Sequence, residues 1–413
     1  MKINKWTLGL AAAGVVSLGS VAQAEEASEH LMTAVSGTQI SGYVSTTASW
    51  MAGTGSRVFG ALPGRSFHDG IAKQDGFNLD VIDLTVSKSL DEGEWAAGYK
   101  AEMWFGPDGA AYGSASTFGN GEDFNIRQAY VELRAPVGNG LDFKVGVFDT
   151  VIGYEVTNHD SNPNVGRSYG WGIEPTSHTG ILASYKLTDF LSVSAGVANN
   201  GLANPINAKQ PVESDKSYMA GLYLTAPEDW GFLSGATLSG GVVESTFSGS
   251  PFAGANFGGG QSDVLNYYVG FALPLPIEGW SVGAAWDYQG ASSAGPNTSY
   301  YANAAALYLS AGLTEKLKVN VRVDYTTATT GFYYGQVAGD NSNALGSLTT
   351  TVDYSLWENV ISRLEVRWDR QLSGGVLDAN GGVGGGVFGG GAGAIGSGDM
   401  NALTVALNLI YKF

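Results

Sequence analysis

Apolar residues recur at every second position of this chain, and charge sits in the gaps. In Leu317-Val319-Val321-Val323-Tyr325 the intervening residues are Lys318, Asn320, Arg322 and Asp324. In Val360-Ser362-Leu364-Val366-Trp368 they are Ile361, Arg363, Glu365, Arg367 and Asp369. Trp95-Ala97-Tyr99-Ala101-Met103-Phe105 repeats the pattern against Ala96, Gly98, Lys100, Glu102 and Trp104. A period of two is the signature of β-strands. A soluble sheet would turn the apolar set into a dry core. Here the other set carries charge on several strands, and the apolar rows contain Trp, Tyr and Phe. That is the pattern of a membrane barrel, with lipid outside, water inside and aromatic girdles at both interfaces.

Sixteen such segments can be marked, at 38–50, 77–88, 94–105, 124–135, 141–148, 178–187, 190–199, 217–226, 233–246, 264–274, 279–289, 300–311, 316–326, 345–355, 359–369 and 400–413. Short connections such as Thr188-Asp189 alternate with long ones such as 51–76, 106–123, 149–177 and 370–399. The fold class expected is all-β, a transmembrane antiparallel up-and-down barrel of sixteen strands, with short periplasmic turns and long extracellular loops. Composition agrees. Charged residues are 14% of the chain against 44% hydrophobic, and 61 of 413 residues are Gly, whereas a soluble domain carries about 25% charged residues.

The two ends indicate the compartment. Lys2 and Lys5, the apolar run Leu8 to Val21 and Ala22-Gln23-Ala24 read as a signal peptide over 1–24, with the mature chain starting at Glu25. Residues 25–37 read as a short periplasmic leader and 38–413 as the barrel. Leu403, Val405, Leu407, Leu409, Tyr411 and Phe413 alternate along the last strand, and Tyr411 and Phe413 are the expected signal to the barrel-assembly machinery. There is no cysteine, which excludes disulfides and a lipid-anchored cysteine. The net charge of −17, more negative by two once Lys2 and Lys5 leave, argues against nucleic acid as a partner.

Phe143-Lys144-Val145-Gly146-Val147-Phe148-Asp149-Thr150, followed by Ile152-Gly153-Tyr154-Glu155, resembles the OmpL-like β-barrel porins. Asn162-Pro163-Asn164, Arg167-Ser168-Tyr169, Glu174-Pro175 and His178-Thr179-Gly180 extend the likeness. The resemblance implies an outer-membrane porin without enzymatic residues.

Sixteen strands enclose more space than their own side chains fill, so a channel remains unless loops narrow it. Residues 149–177 form the candidate constriction loop, with Glu155, Asp160 and Glu174 beside Arg167. Folded inward, its carboxylates would face basic wall residues and set up a transverse field that selects by charge. Parity assigns Lys100, Glu102, Glu132, Arg134, Lys144, Lys318, Arg322, Asp324, Arg363, Glu365 and Arg367 to the lumen. The Gly-rich stretch 370–399 is expected as an outer loop.

The expected function is passive diffusion of small hydrophilic solutes and ions. Two alternatives stand beside it. One is a substrate-specific porin, for sugars for example, with Trp104 and Tyr130 as a binding track. The other is a closed structural or adhesive barrel acting through its outer loops. Among the four histidines His159 and His178 lie in or beside the constriction loop, yet no strand Ser can be matched to them, and no metal or phosphate-loop motif occurs. No enzyme and no cofactor is expected. The partners are outer-membrane lipid and the transported solutes, and a homotrimer is the expectation for a wide porin.

Overall fold

The structure is a computed structural model that describes residues 37–52, 73, 75–112, 124–199, 206–207, 214–248, 261–293, 299–329, 343–373 and 401–413. The signal peptide, nearly all of the leader and most of the Gly-rich stretch lie outside the described residues.

The strands run as β1 Gln39–Ala52, β2 Gly76–Lys88, β3 Ala96–Phe105, β4 Phe124–Ala135, β5 Leu141–Asp149 and β6 Ser177–Lys186. Next come β7 Leu191–Ala198, β8 Ser217–Thr225, β9 Thr237–Ser248, β10 Gln261–Pro274 and β11 Trp280–Ser293. The last are β12 Ser299–Gly312, β13 Leu317–Ala328, β14 Asn343–Tyr354, β15 Val360–Ser373 and β16 Asn401–Lys412. A short helix α1, Pro107–Tyr112, follows β3. Each strand pairs antiparallel with its sequence neighbours, and β1 pairs with β16, so the sheet closes into a sixteen-strand barrel. At the seam Gly42 and Phe413 exchange two backbone hydrogen bonds of 3.0 Å. Closure matters because lipid offers no partner to an unpaired backbone group.

Residue alternation maps onto the two faces as expected. On β15, Arg363, Glu365, Arg367 and Asp369 are buried in the interior while Leu364, Val366 and Trp368 are exposed outside. On β13, Arg322, Asp324 and Thr326 are interior and Val323 and Tyr325 exterior. Most of the exposed aromatics fall near the two rims. Trp50, Phe77, Tyr218, Tyr325 and Trp368 lie toward the long-loop end, and Trp95, Phe232, Tyr354, Trp357, Tyr411 and Phe413 toward the short-turn end. The largest displacement of an expected strand start, four residues, is at β9. β9 begins at Thr237 rather than 233, because residues 228–233 form a 3-10 turn after Pro227, with Gly231 at φ +59°.

Among the described residues strict alternation fails at three bulges. Asp80 is the extra residue on β2, between the pairs Ser45↔Val81 and Thr46↔Leu79. Arg127 is the extra residue on β4, between Glu102↔Gln128 and Met103↔Ile126. Leu372 occupies the same position on β15 and faces outward. Counting by twos from Asp83 and Thr85 would put Asp80 against lipid, and counting from Gln128 would do the same to Arg127. The bulges turn both charges inward, where they are fully buried.

Val366 lies in the middle of β15 on the outer face. Val366→Arg is expected to destabilise the barrel by about 2–4 kcal/mol, read by urea titration in lipid vesicles. Val366→Leu, which keeps the same outward position apolar, should cost less.

Candidate functional site

The segment between β5 and β6, residues 150–176, crosses the interior of the barrel. Its first limb leaves β5 along an apolar cluster. Val151 and Ile152 pack with Phe148, Leu182, Met219, Val243, Tyr268 and Tyr308. The Tyr223 hydroxyl on β8 donates to the Val151 carbonyl at 2.9 Å. Gly153 takes φ +115°, which a side-chain-bearing residue rarely adopts, and turns the chain so that Tyr154 stacks on Tyr308 of β12 at 4.2 Å between ring centres.

The tip reaches the opposite wall. Arg127 on β4 donates to Thr157 at 2.8 Å, and Asn158 donates to Glu102 on β3 at 2.8 Å. The His159 amide donates to the Tyr43 hydroxyl on β1 at 3.1 Å, and its carbonyl accepts from Arg363 at 2.9 Å. Asp160 pairs with Lys412 at 3.0 Å.

The chain then returns along β13 to β15. The backbone amides of Val165 and Gly166 donate to the two oxygens of Glu365 at 2.6 and 2.8 Å. Arg322 donates to Asp324 and Glu155, both at 2.8 Å, and to the carbonyls of Gly166 and Arg167, both at 2.9 Å. Arg367 donates to the Arg167 carbonyl at 2.7 Å, and Tyr169 donates to Asp369 at 2.7 Å. Five N–H donors in one plane let a guanidinium bind two carboxylates and two carbonyls together, which an ammonium with three donors cannot.

Arg167 ties the loop to itself, donating to the carbonyls of Val156 and Thr157 at 2.8 Å and Val165 at 2.9 Å. Burial lowers its pKa to about 10; Glu155 opposes this, and the neighbouring Arg363 and Arg322 add to it. It therefore stays charged at neutral pH.

The expected site residues divide by role. Glu155 pairs with Arg322 of the wall, and Asp160 with Lys412. Glu174 differs: its carboxyl packs against Gly153 and faces Asp287 on β11, whose carboxyl packs against Gly170, acid against acid. Arg322, Asp324, Arg363, Glu365 and Arg367 all point inward but lie buried beneath the loop instead of lining open water. Lys100 pairs with the buried Glu102 at 2.6 Å, and Lys144 stands 4.9 Å above the half-buried Tyr130 ring. Trp104 is sealed, donating to Asp83 at 2.8 Å with its ring 6.0 Å from His159, which removes it from any exposed aromatic track.

Alternation missed Asp80 and Arg127, because only paired strands reveal a bulge. Asp80 accepts from Ser45 at 2.9 Å and Lys73 at 2.7 Å, and Arg127 pairs with Asp149 at 2.6 Å. Asp287 was legible as the polar residue between Trp286 and Tyr288. Ser45, His159 and Asp108 do come together. The Ser45 oxygen lies 3.3 Å from His159 Nδ1, and Asp108 lies 3.0 Å from Nε2. Yet Ser45 is fully buried and its hydroxyl donates to Asp80, so no substrate reaches it and its proton is engaged. His178, also buried, lies 3.0 Å from the Thr150 hydroxyl.

The family model described as "Putative beta-barrel porin-2, OmpL-like" matches residues 37–413. The chain belongs to this porin family. Its place is the outer membrane and its class of activity that of a porin channel, a family without enzymatic function. No curated relative matches the porin in sequence. Solved structures share its fold at low identity. In-vitro folded OmpT of Vibrio cholerae, in its trimer form, is 13% identical with a TM-score of 0.56, covering 91% of this chain and 99% of that one. The anion-selective porin of Comamonas acidovorans gives the same four values. The DcaP channel of Acinetobacter baumannii is 14% identical with a TM-score of 0.55, covering 91% of this chain and 97% of its own.

Removing one partner from a buried ion pair costs about 3–5 kcal/mol. Arg322→Met in this porin is expected to lose stability on that scale, since Glu155, Asp324 and two carbonyls lose their donor together. Denaturant unfolding of the folded barrel in detergent measures it, with Lys318→Met at the exposed start of β13 as the near-neutral control.

Proposed function

We propose that this porin lets small hydrophilic solutes and ions diffuse passively through a lumen narrowed by residues 150–176. One observation carries the reading: a loop inside a closed sixteen-strand wall is tied to that wall by arginines and carboxylates rather than left at the rim. In this reading Arg322, Arg363, Glu365 and Arg367 are tethers that fix the loop. Arg167 keeps the loop's own shape. The water path runs past the less buried groups: Asp160 and Glu174 on the loop, and Lys100, Lys144, Asp149 and Tyr130 on the wall. Glu102, Asp324 and Glu155 hold those groups and tethers in place.

Fixed charges of both signs along such a path orient dipolar solutes and bias ions. The overall negative charge favours cations at the mouths, while Lys100 and Lys144 oppose it inside. The Comamonas acidovorans relative in fold is named as anion-selective, so the sign of selectivity is a property to be measured. A signal peptide over 1–24, insertion by the barrel-assembly machinery through Tyr411 and Phe413, contact with outer-membrane lipid, and a homotrimer complete the proposal. The trimer draws on the Vibrio cholerae OmpT form.

Single-channel current across a planar bilayer with unequal KCl on the two sides tests the reading. Discrete steps of stable conductance are expected, with the reversal potential giving the preferred ion. Glu365→Ala frees the Val165 and Gly166 amides, so larger and noisier steps should follow. Verified folded barrel that never conducts would remove the diffusion reading.

A further inference from the structure

The returning limb of the inner loop, residues 171–176, is held differently from the rest. The tip and the 164–169 stretch hang on arginines, on Glu365 and on the Asp160–Lys412 pair, each an acid or carbonyl facing a donor of opposite polarity. The returning limb has the Gln289 amide on β11, donating to the Ile173 carbonyl at 2.8 Å, and the Glu174–Asp287 pair.

That pair has an unusual seat. Two glycines of the loop make room for it, since a Cβ on Gly153 would run into the Glu174 carboxyl and one on Gly170 into the Asp287 carboxyl. Asp287 is buried, and its Oδ1 has no hydrogen-bond partner. The charged and titratable groups around the pair are Glu155 and Tyr154 from the loop and Tyr268 from β10. From β12 and β13, Tyr308 and Arg322 face Glu155, and Arg322 is already shared between Glu155 and Asp324. Among the described residues no cation pairs with either carboxyl.

Resting on the channel reading above, we propose that Glu174 and Asp287 form a proton-operated latch. With one shared proton they hold the returning limb against β11; with both ionised they release it and widen the lumen beside β10 and β11.

Two carboxylates facing each other in a buried seat do not both ionise without strong repulsion. The single proton makes one of them the donor, and on release it passes to water in the lumen. Burial first, then Asp287, hold the Glu174 carboxyl well above the usual carboxylate range. A docked acid that binds its proton more tightly than the free limb does is favoured at low pH. Docking therefore weakens as pH rises through the titration of Glu174.

The test compares refolded wild type with Glu174→Gln and Glu174→Ala by single-channel conductance from acid to alkaline pH, with folding verified on unboiled gels. Wild type should step to a larger unit conductance as pH rises. Glu174→Gln keeps a hydrogen-bond donor to Asp287 but cannot ionise, so it should stay at the acid value throughout. Glu174→Ala should show the alkaline value at every pH. Asp287→Asn supplies the same comparison with Glu174→Gln if that variant does not fold. A wild type that conducts without a pH step, or a Gln variant that keeps the step, overturns the latch and leaves the channel reading intact. Folded wild type silent at every pH removes the channel reading and the latch with it.

Discussion

Backbone groups in hydrocarbon must find their hydrogen bonds inside the protein, and for a chain of strands the complete solution is a sheet that closes on itself. The seam between β1 and β16 is where this requirement is met. The ten paired positions from Tyr43↔Lys412 to Ala52↔Leu403 and the Gly42–Phe413 exchange leave no open edge. Closure also fixes which side of each strand faces lipid and which faces inward. Apolar residues take the first role and charged ones the second.

Closure at sixteen strands raises a second problem, because the wall cannot fill what it encloses. The chain answers it with its own residues 150–176. The first limb settles by hydrophobic packing against β6 to β12, where the wall presents Leu182, Met219, Tyr268 and Tyr308. The tip and residues 164–169 settle by hydrogen bonds, most of them charge-assisted, against β13 to β16 and β1 to β4, and the returning limb rests on β11. The interior is therefore two-sided: apolar and tyrosine-rich where the loop leaves β5, ionic where it turns back. Buried arginines are costly unless every donor is occupied. Arg322 meets this condition through two carboxylates, two loop carbonyls and the Thr349 hydroxyl, so folding of the loop and neutralisation of the wall depend on each other. The acid pair at Glu174 stands out because no cation among the described residues balances it.

Much of this was legible in the residues. Period-two alternation fixed the strands to within a few positions, and the alternation of loop length gave the up-and-down order. The inward side of β13 and β15 followed from the cost of a charge in lipid. Parity failed at Asp80 and Arg127, since a bulge is a property of two paired strands and leaves no mark in one. It placed Arg363 and Arg367 on the right face but said nothing of their burial, which depends on loop residues 200 and 204 positions earlier in the chain.

The sequence by itself determined a closed β-barrel with a charged interior, because alternation and the cost of unpaired backbone in lipid are local, additive constraints. Only the tertiary structure decided how that interior is used. Which arginine meets a carboxylate, which meets a carbonyl, and where two acids are left facing each other all depend on distances across the lumen. Residues on opposite walls acquire those distances when the ring closes and the loop is laid across it.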